Sequence, residues 1–371
     1  MIKMNHKLTR ASLIVCVFVT IVLLFSFASF SQELTKVRFG LTPFVDYGPW
    51  VLAIELGFFE DEGLDVQVIN LASDTEIAEA MAGGALDIGV QSPDSALYYY
   101  PQNPNLRIVH IGTLFEGFAI TGRPEYTTFA QFLESGLSAE EAAKATAKQM
   151  EGKVILTAKG SVHEAIVHAA LEIGGLTEDD VTILDIPTPV EGVAAFLQGQ
   201  GDFFTAGLPQ ALRLLSEGYP RTIPGSALGT GGINLSGLES SKKYFEENKD
   251  TIVRIVKAWY KAVSYLHQND TIALPMMVQW LNENTGAGIT VADAKRLVTE
   301  DLKFAGSPIE AYYWFYKEGS RSEWKSKLNH RLALLEKVGN VPEGSVDLDA
   351  MVVAGEIEVL AMQAMMEEID F

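Results

Sequence analysis

The feature that most narrows the folds open to this chain is an alternation of strand-like and helix-like segments that occurs twice. Residues 37–41 are β-rich, and 48–59 carry Trp50, Val51, Ile54 and Phe58 at helical spacing. Residues 64–71 alternate, 75–81 read as helix, and 86–90 form a short apolar strand. The same order returns as strand 153–158, helix 162–173, strand 181–186, helix 190–197 and strand 202–206. Residues 66–69 lie over 181–184, and 80–87 over 195–202, at one common offset of 115. Strands separated by helices predict sheets covered on both faces. The expected class is therefore α/β, with two lobes that are each a mostly parallel sheet flanked by helices.

The N-terminus bears on length and redox chemistry. Lys3, Lys7 and Arg10 precede an apolar and small-residue run over 11–30, followed by Ser31-Gln32-Glu33. That order predicts a cleaved signal peptide over 1–31, cut after Ala28 or Ser31, and an exported, periplasmic product. Cys16, the sole cysteine, lies in the run behind Leu13-Ile14-Val15, which lacks the small residue that precedes a lipidated cysteine. A processed chain then has no cysteine, which excludes disulfides, thiolate nucleophiles and Cys metal sites. About 340 residues are left, more than one hydrophobic core usually serves. Without the three leading cations, 25 basic residues face 48 acidic ones, a net charge of −23. Such a chain repels nucleic acid and anionic membrane surfaces.

Between and beyond the two units the signals are weaker. Residues 127–150, rich in Ala, Glu and Lys, read as a helical excursion, and the Gly- and Ser-rich 225–237 as a connection between lobes. The C-terminal region is mostly helical. Asp250 is expected to cap a helix whose Ile252, Ile255, Val256, Trp259, Val263 and Leu266 share one apolar face.

Catalytic and cofactor motifs fail on spacing. His163 and His168 are five residues apart, so on a helix they diverge by about 140°, whereas a shared ion needs the roughly 40° of an i, i+4 pair. None of the five histidines after the leader, His110, His163, His168, His267 and His330, forms such a pair, so no metal is expected. A nucleophile elbow, a phosphate-cradling loop and a dinucleotide fingerprint are all missing from the sequence, so no cofactor is implied.

The positive signal lies in the loops that follow strands, where open sheets hold their ligands. Phe44, Tyr47 and Trp50 crowd one such loop, with Gln91, Ser92, Ser161, His163 and Thr188 in others. Aromatic walls with a few hydroxyl and amide groups suit a small-molecule cleft. Trp50 is in phase with Ile54, which points equally to the core. Ser161 also reads as a helix N-cap.

Four segments carry a family resemblance: WVLAIELGFFEDEGLDVQVI at 50–69, EIAEAMAGGALDIGVQSPDSAL at 76–97, EGKVILTAKGSVHEAIVHAALEIGGLTEDDVTIL at 151–184, and VAAFLQGQGDFFTAGLPQAL at 193–212. They resemble the substrate-binding proteins of ABC importers, in the nitrate, sulfonate and taurine branch that also includes relatives binding thiamine pyrimidine precursors. The resemblance spans most of 36–265. It implies a two-lobed periplasmic-binding-protein (type II) fold, with lobe 1 at 33–118 plus the returning 231–371 and lobe 2 at 119–230. It also implies a monomer that delivers a small organic molecule to a permease and its ATPase, and no enzyme. By the same likeness, ligand contacts fall on Phe44, Tyr47, Trp50, Gln91, Ser92, Ser161, Val162 and His163. Phe115, Glu116, Thr188 and Leu208 complete the candidate set.

One departure bears on the ligand. Sulfonate-binding members use basic cleft residues, whereas these loops offer mainly Lys159 against Asp46, Asp74, Asp94 and Glu116. An oxyanion held by helix N-termini and a neutral or cationic, partly aromatic ligand are both open. The alternative function is an enzyme on this scaffold, as in the pyrimidine-synthase relatives, or a ligand sensor without transport. Those synthases depend on a cysteine-rich segment that this chain lacks.

Overall fold

A computed structural model describes residues 33–186, 188–205, 207–286 and 288–369. The expected signal peptide at 1–31 lies outside them. Two sheets organise the chain. The first contains β1 (Thr35–Leu41), β2 (Leu64–Asn70), β3 (Ile88–Gln91) and β4 (Leu106–Phe115). The second contains β5 (Ala119–Gly122), β6 (Val154–Thr157), β7 (Thr182–Asp185), β8 (Phe203–Thr205) and β9 (Arg221–Pro224). The chain then returns to the first sheet with β10 (Asn234–Ser241) and β11 (Leu302–Phe304).

The strand orders are β11-β4-β10-β3-β1-β2 and β7-β6-β8-β5-β9. Neighbours β2, β1 and β3 are mutually parallel, as are β7, β6 and β8, while the remaining pairings in both sheets are antiparallel. The expectation of mostly parallel sheets thus holds for three strands of each; both sheets are mixed. The reason is where the chain crosses. It leaves the first sheet at Phe115 and re-enters it at Asn234, and these two residues are paired in register at one edge. Strands that emerge from a crossing, β5 and β10, start at the edge where the parallel strands end, so they run the opposite way. At the register shift in β10, Gly237 passes so close to the His110 carbonyl that a Cβ would stand 1.8 Å from its oxygen.

Local sequence sets the element boundaries. The helical stretch expected at 48–59 is two helices, Gly48–Glu55 and Phe58–Asp61, because Gly57 adopts φ 75° between them. The excursion forms Phe129–Glu134 and Ala139–Lys148, each begun by a reciprocal capping box, Thr128 with Gln131 and Ser138 with Glu141. Helix Lys249–Gln268 buries all six residues of its expected stripe. Asp250 is not its cap, since the capping position is Asn248; Asp250 sits in the first turn and pairs with Arg254 at 3.0 Å. The Gly- and Ser-rich stretch at 225–237 is a connection only as far as Ile233, because Leu235 and Leu238 give it a buried strand face from Asn234 onward.

The core beneath the first sheet centres on Trp50 and Trp259, whose rings lie 4.6 Å apart, with Phe39 and Phe59 against Trp50. Helix Trp324–Lys337 covers the other flank through Leu328 and Leu335, which cluster with Met351, while helix Ala354–Ile369 joins the tryptophan core through Ile357. Among the described residues no helix is long and apolar enough to cross a membrane.

Candidate functional site

A narrow chamber opens where the two sheets present their carboxyl edges to each other, and it widens into an outer vestibule. With their open mouths the two spaces measure about 370 and 840 Å³. Phe44, Asp74 and His163 line both.

The first-sheet wall begins just after β1. A short turn over Val45–Tyr47 feeds helix Gly48–Glu55, whose second residue, Pro49, suits a first helical turn. This turn buries Asp46 and Tyr47 and leaves Phe44 half-buried at the chamber mouth. A hydrogen-bond relay then joins three segments. The Ser92 hydroxyl donates to Asn234 Oδ1 (2.6 Å), the Asn234 amide donates to Ser236 Oγ (3.1 Å), and the Ser236 hydroxyl donates to the Asp46 carboxylate. Thr113 fixes the same turn by donating to the Asp46 carbonyl at 3.1 Å.

Asp74 starts helix Asp74–Ala82, which Ser73 caps. Its Oδ2 accepts from the Ser95 hydroxyl at 2.6 Å, while its Oδ1, buried, has no hydrogen-bond partner. Burial pushes the Asp46 carboxyl up to about 6, against the opposing Ser236 hydrogen bond. Burial likewise pushes Asp74 up to about 6, with the Ser95 hydrogen bond opposing and the Asp46 charge adding. Behind them Glu239 on β10 is pushed by burial to about 8, opposed by the Gln91 amide.

The second-sheet wall is a helix start. Ser161 caps helix Val162–Gly174 by accepting from the His163 amide at 3.2 Å. Burial pushes the His163 imidazole down to about 4, so it is neutral at physiological pH. Its ring meets Phe44 at 6.0 Å and Phe118 at 5.6 Å, both edge-on, and Phe118 in turn meets Phe115 at 4.6 Å. Gly207 lets the Phe44 ring approach closely, since a Cβ there would stand 3.2 Å from it.

Two hydrogen-bonded links join the walls. The Val162 amide donates to Ser95 Oγ at 3.1 Å, so Asp74, Ser95 and the helix start are connected in series. The Tyr99 hydroxyl donates to the Gly160 carbonyl at 2.7 Å and contacts Thr75 at 2.9 Å.

The sequence candidates separate accordingly. Phe44, Tyr47, Ser92, Phe115, Val162 and His163 line the inner chamber, and Ser161 and Thr188 line the vestibule. Trp50 is 1% exposed and belongs to the core, packed on Trp259, Phe39, Phe59 and His110. Its helical phase with Ile54 carried the right message. Gln91 stands behind the wall, donating to the Asp74 carbonyl at 3.3 Å. Glu116 turns outward to Arg321 (2.5 Å) and Lys303 (3.4 Å). Leu208 opens helix Leu208–Ser216, directly after the lining residue Gly207. Asp46, Asp74, Phe118 and Asn234 line the chamber without having been candidates. The two aspartates were visible as loop acids; Asn234 was hidden in a stretch read as a connector.

Chemically, the inner lining combines carboxyls, the hydroxyls of Tyr47 and Ser92, an amide, an imidazole and aromatic edges, with no Lys or Arg among the described lining residues. Lys159 lines only the vestibule. Ser161 and His163 do not form an activated pair. The Ser161 hydroxyl donates to the Ala158 carbonyl at 2.7 Å, which leaves no proton directed at the imidazole 3.3 Å away. Among the described residues no group of three His, Cys, Asp or Glu side chains is arranged to hold a metal ion.

The sequence model of the NMT1-like family matches residues 31–282. A Bacillus subtilis protein, YtlA, assigned as a binding protein, is 23% identical over 298 residues, 79% of this chain and 80% of its own. The periplasmic nitrate-binding protein NrtA from Synechocystis superposes with a TM-score of 0.68 at 17% identity, over 90% of this chain and 89% of its own. The alkanesulfonate-binding protein SsuA from Xanthomonas axonopodis, bound to MOPS, superposes at 0.65 and 18%, over 87% and 99%. The same scaffold also hosts catalysis: the desulfurization enzyme DszB superposes at 0.55 and 14%, over 89% and 99%.

Proposed function

Since the chain belongs to the NMT1-like family, we propose that it is an exported solute-binding protein that encloses a small organic molecule between two lobes and hands it to an ABC permease with its ATPase. The observation that carries this reading is a chamber lined from both sheets and bridged by the series Asp74, Ser95, Val162. In this reading lobe 1 comprises 33–118 with the returning 231–371, and lobe 2 comprises 119–230. The ligand contacts are Phe44, Tyr47, Ser92, Phe115, Val162 and His163 inside, with Ser161 and Thr188 at the mouth.

The mechanism follows from which groups of the two walls meet. Phe44 and Ser95 meet the start of helix Val162–Gly174 from the first sheet, so a ligand that contacts both walls of the chamber stabilises the closed form over the open one. A permease that reads the closed form then receives loaded protein. The segment 1–31 serves export and is removed, and the processed protein works as a monomer.

We read the site as binding without turnover, because the one serine beside a histidine has its proton directed elsewhere. The test is a thermal-shift panel of charged and neutral small molecules on the processed protein. A ligand at 100-fold excess over its Kd should raise stability by about 2.7 kcal/mol. Mass spectrometry of the recovered ligand should find it unchanged. Chemical conversion on incubation would move the protein to the enzyme class, and a panel with no hit would remove the solute-binding reading.

A further inference from the structure

We propose that the cleft formed by the inner chamber and its vestibule takes a compact organic cation, an ammonium or amidinium head on a flat apolar body, with Asp46 and Asp74 as its charge partners. This rests on the solute-binding reading and adds the ligand's charge to it.

Three independent features point there. First, two aspartates on different segments line one chamber whose described lining contains neither Lys nor Arg. Second, the residue Asp74, which lines both chamber and vestibule, is 5% exposed, and its buried Oδ1 has no partner. A buried carboxylate oxygen without a donor is costly unless something from outside supplies one, and an N–H cation does. Third, the other walls are the rings of Phe44, Tyr47, Phe115 and Phe118, which accept a flat body and a positive charge alike.

The remaining ionisable groups around the two aspartates do not change the sign. Tyr47 and Tyr99 feel the Asp74 charge and are pushed upward, first by burial, so both are neutral. Glu239 is held protonated near neutral pH by its burial. His163, facing from the second wall, is neutral. In the vestibule, Lys159 stands among Glu76 and Asp185. An oxyanion in the inner chamber would therefore face carboxylates with no cation to offset them, and the Ser92 hydroxyl is already committed to Asn234.

The experiment is calorimetric titration of the processed protein with benzamidine, with benzamide as its neutral isostere, and with nitrate and ethanesulfonate as anions. Benzamidine should bind at least about tenfold more tightly than benzamide. Its affinity should fall about tenfold or more from about pH 8 to about pH 5, as Asp46 and Asp74 take up protons. Asp74→Asn should weaken benzamidine by about 30-fold or more while leaving benzamide within about twofold, with an unchanged circular dichroism spectrum as the folding control. If that variant does not fold, Asp46→Asn makes the same comparison. Tighter binding of either anion, or unchanged benzamidine affinity in both variants, overturns the cation assignment and leaves solute binding intact. If no probe of any charge binds, the cation assignment and the solute-binding reading fail together.

Discussion

Two buried acidic regions lie close together along the chain and are treated in opposite ways. At the chamber, Asp46 and Asp74 have hydroxyl partners and no cation, and burial raises both carboxyls. Twenty residues beyond Asp74, Asp94 is fully buried yet receives Lys327 on both oxygens at 2.6 Å and Arg331 at 3.1 Å. There burial also works upward, but the charges of Lys327 and Arg331 outweigh it and hold Asp94 below the usual carboxylate range. Arg331 extends the cluster by donating to the carbonyls of Ala165, on helix Val162–Gly174, and Gly231. The chain thus places cations where a C-terminal helix must be fastened to both sheets' surroundings, and withholds them where a guest is to be held. Uncompensated charge at the chamber is a property of the site.

The largest effects test the fastened region. Asp94→Asn leaves two buried cations without their counter-ion and should cost about 3–5 kcal/mol in urea unfolding at neutral pH. A loss under about 1 kcal/mol would mean that the two acidic regions do not differ as described. Trp50→Ala gives an uncharged control of similar size, about 3–5 kcal/mol for a large aromatic removed from a packed core. Its cost should be independent of pH, and ligand affinity per folded molecule should not change. The Asp94→Asn cost should instead shrink in acid. A depressed carboxyl contributes stability above its unfolded value of 3.8 that disappears as pH falls through its lower folded value.

The chamber should show the opposite sign. For Asp46 and Asp74 the folded value of about 6 exceeds the unfolded 3.8, so the native state binds protons first and stability rises as pH falls from about 6 towards 4. At neutral pH each group costs up to about 3 kcal/mol. Asp74→Asn, which keeps an acceptor for Ser95, should therefore stabilise the ligand-free protein by about 1–3 kcal/mol and flatten that part of the pH profile. Urea midpoints between about pH 4 and pH 8 measure both, and a destabilised variant would assign Asp74 to structure.

How much of this was legible in sequence depends on whether a residue's partners are local. The strand and helix alternation, the Ser161 cap and the aromatic Phe44 loop are short-range signals, and the structure has them where the pattern puts them. β4 was invisible because its ten residues, all buried, include Arg107 and His110, which break any apolar run; His110 is matched by Glu358 at 2.7 Å, 248 residues away. Asn234 and Ser236 were missed because their partners Ser92 and Asp46 are also distant in sequence. The mixed direction of the sheets follows from where the chain crosses between them, which no local pattern encodes. Asp46 and Asp74 could be seen as acids, but the lack of a neighbouring cation, which gives them their meaning, exists only in three dimensions.

The smallest expected effect concerns Glu116, an acid that the sequence grouped with the cleft and that differs from both buried regions. Its carboxylate has two cationic partners, as Asp94 has, but Arg321 and Lys303 are largely exposed, with side-chain exposures of 68% and 48%. Water and salt screen such pairs, and holding two long side chains in place costs entropy, so the net worth is about 0–1 kcal/mol. Glu116→Gln should therefore shift the urea midpoint barely, and the shift should fade as salt rises towards about 1 M, where the screening length is near 3 Å. Because Glu116 does not line the described chamber, ligand affinity should be unchanged within about twofold. The informative failure is a selective one. If Glu116→Gln weakens a cationic ligand as much as Asp74→Asn does, while stability stays the same, the binding surface extends past Phe115 to the crossing of the chain, and the division between an uncompensated chamber and compensated surroundings has to be redrawn to include it.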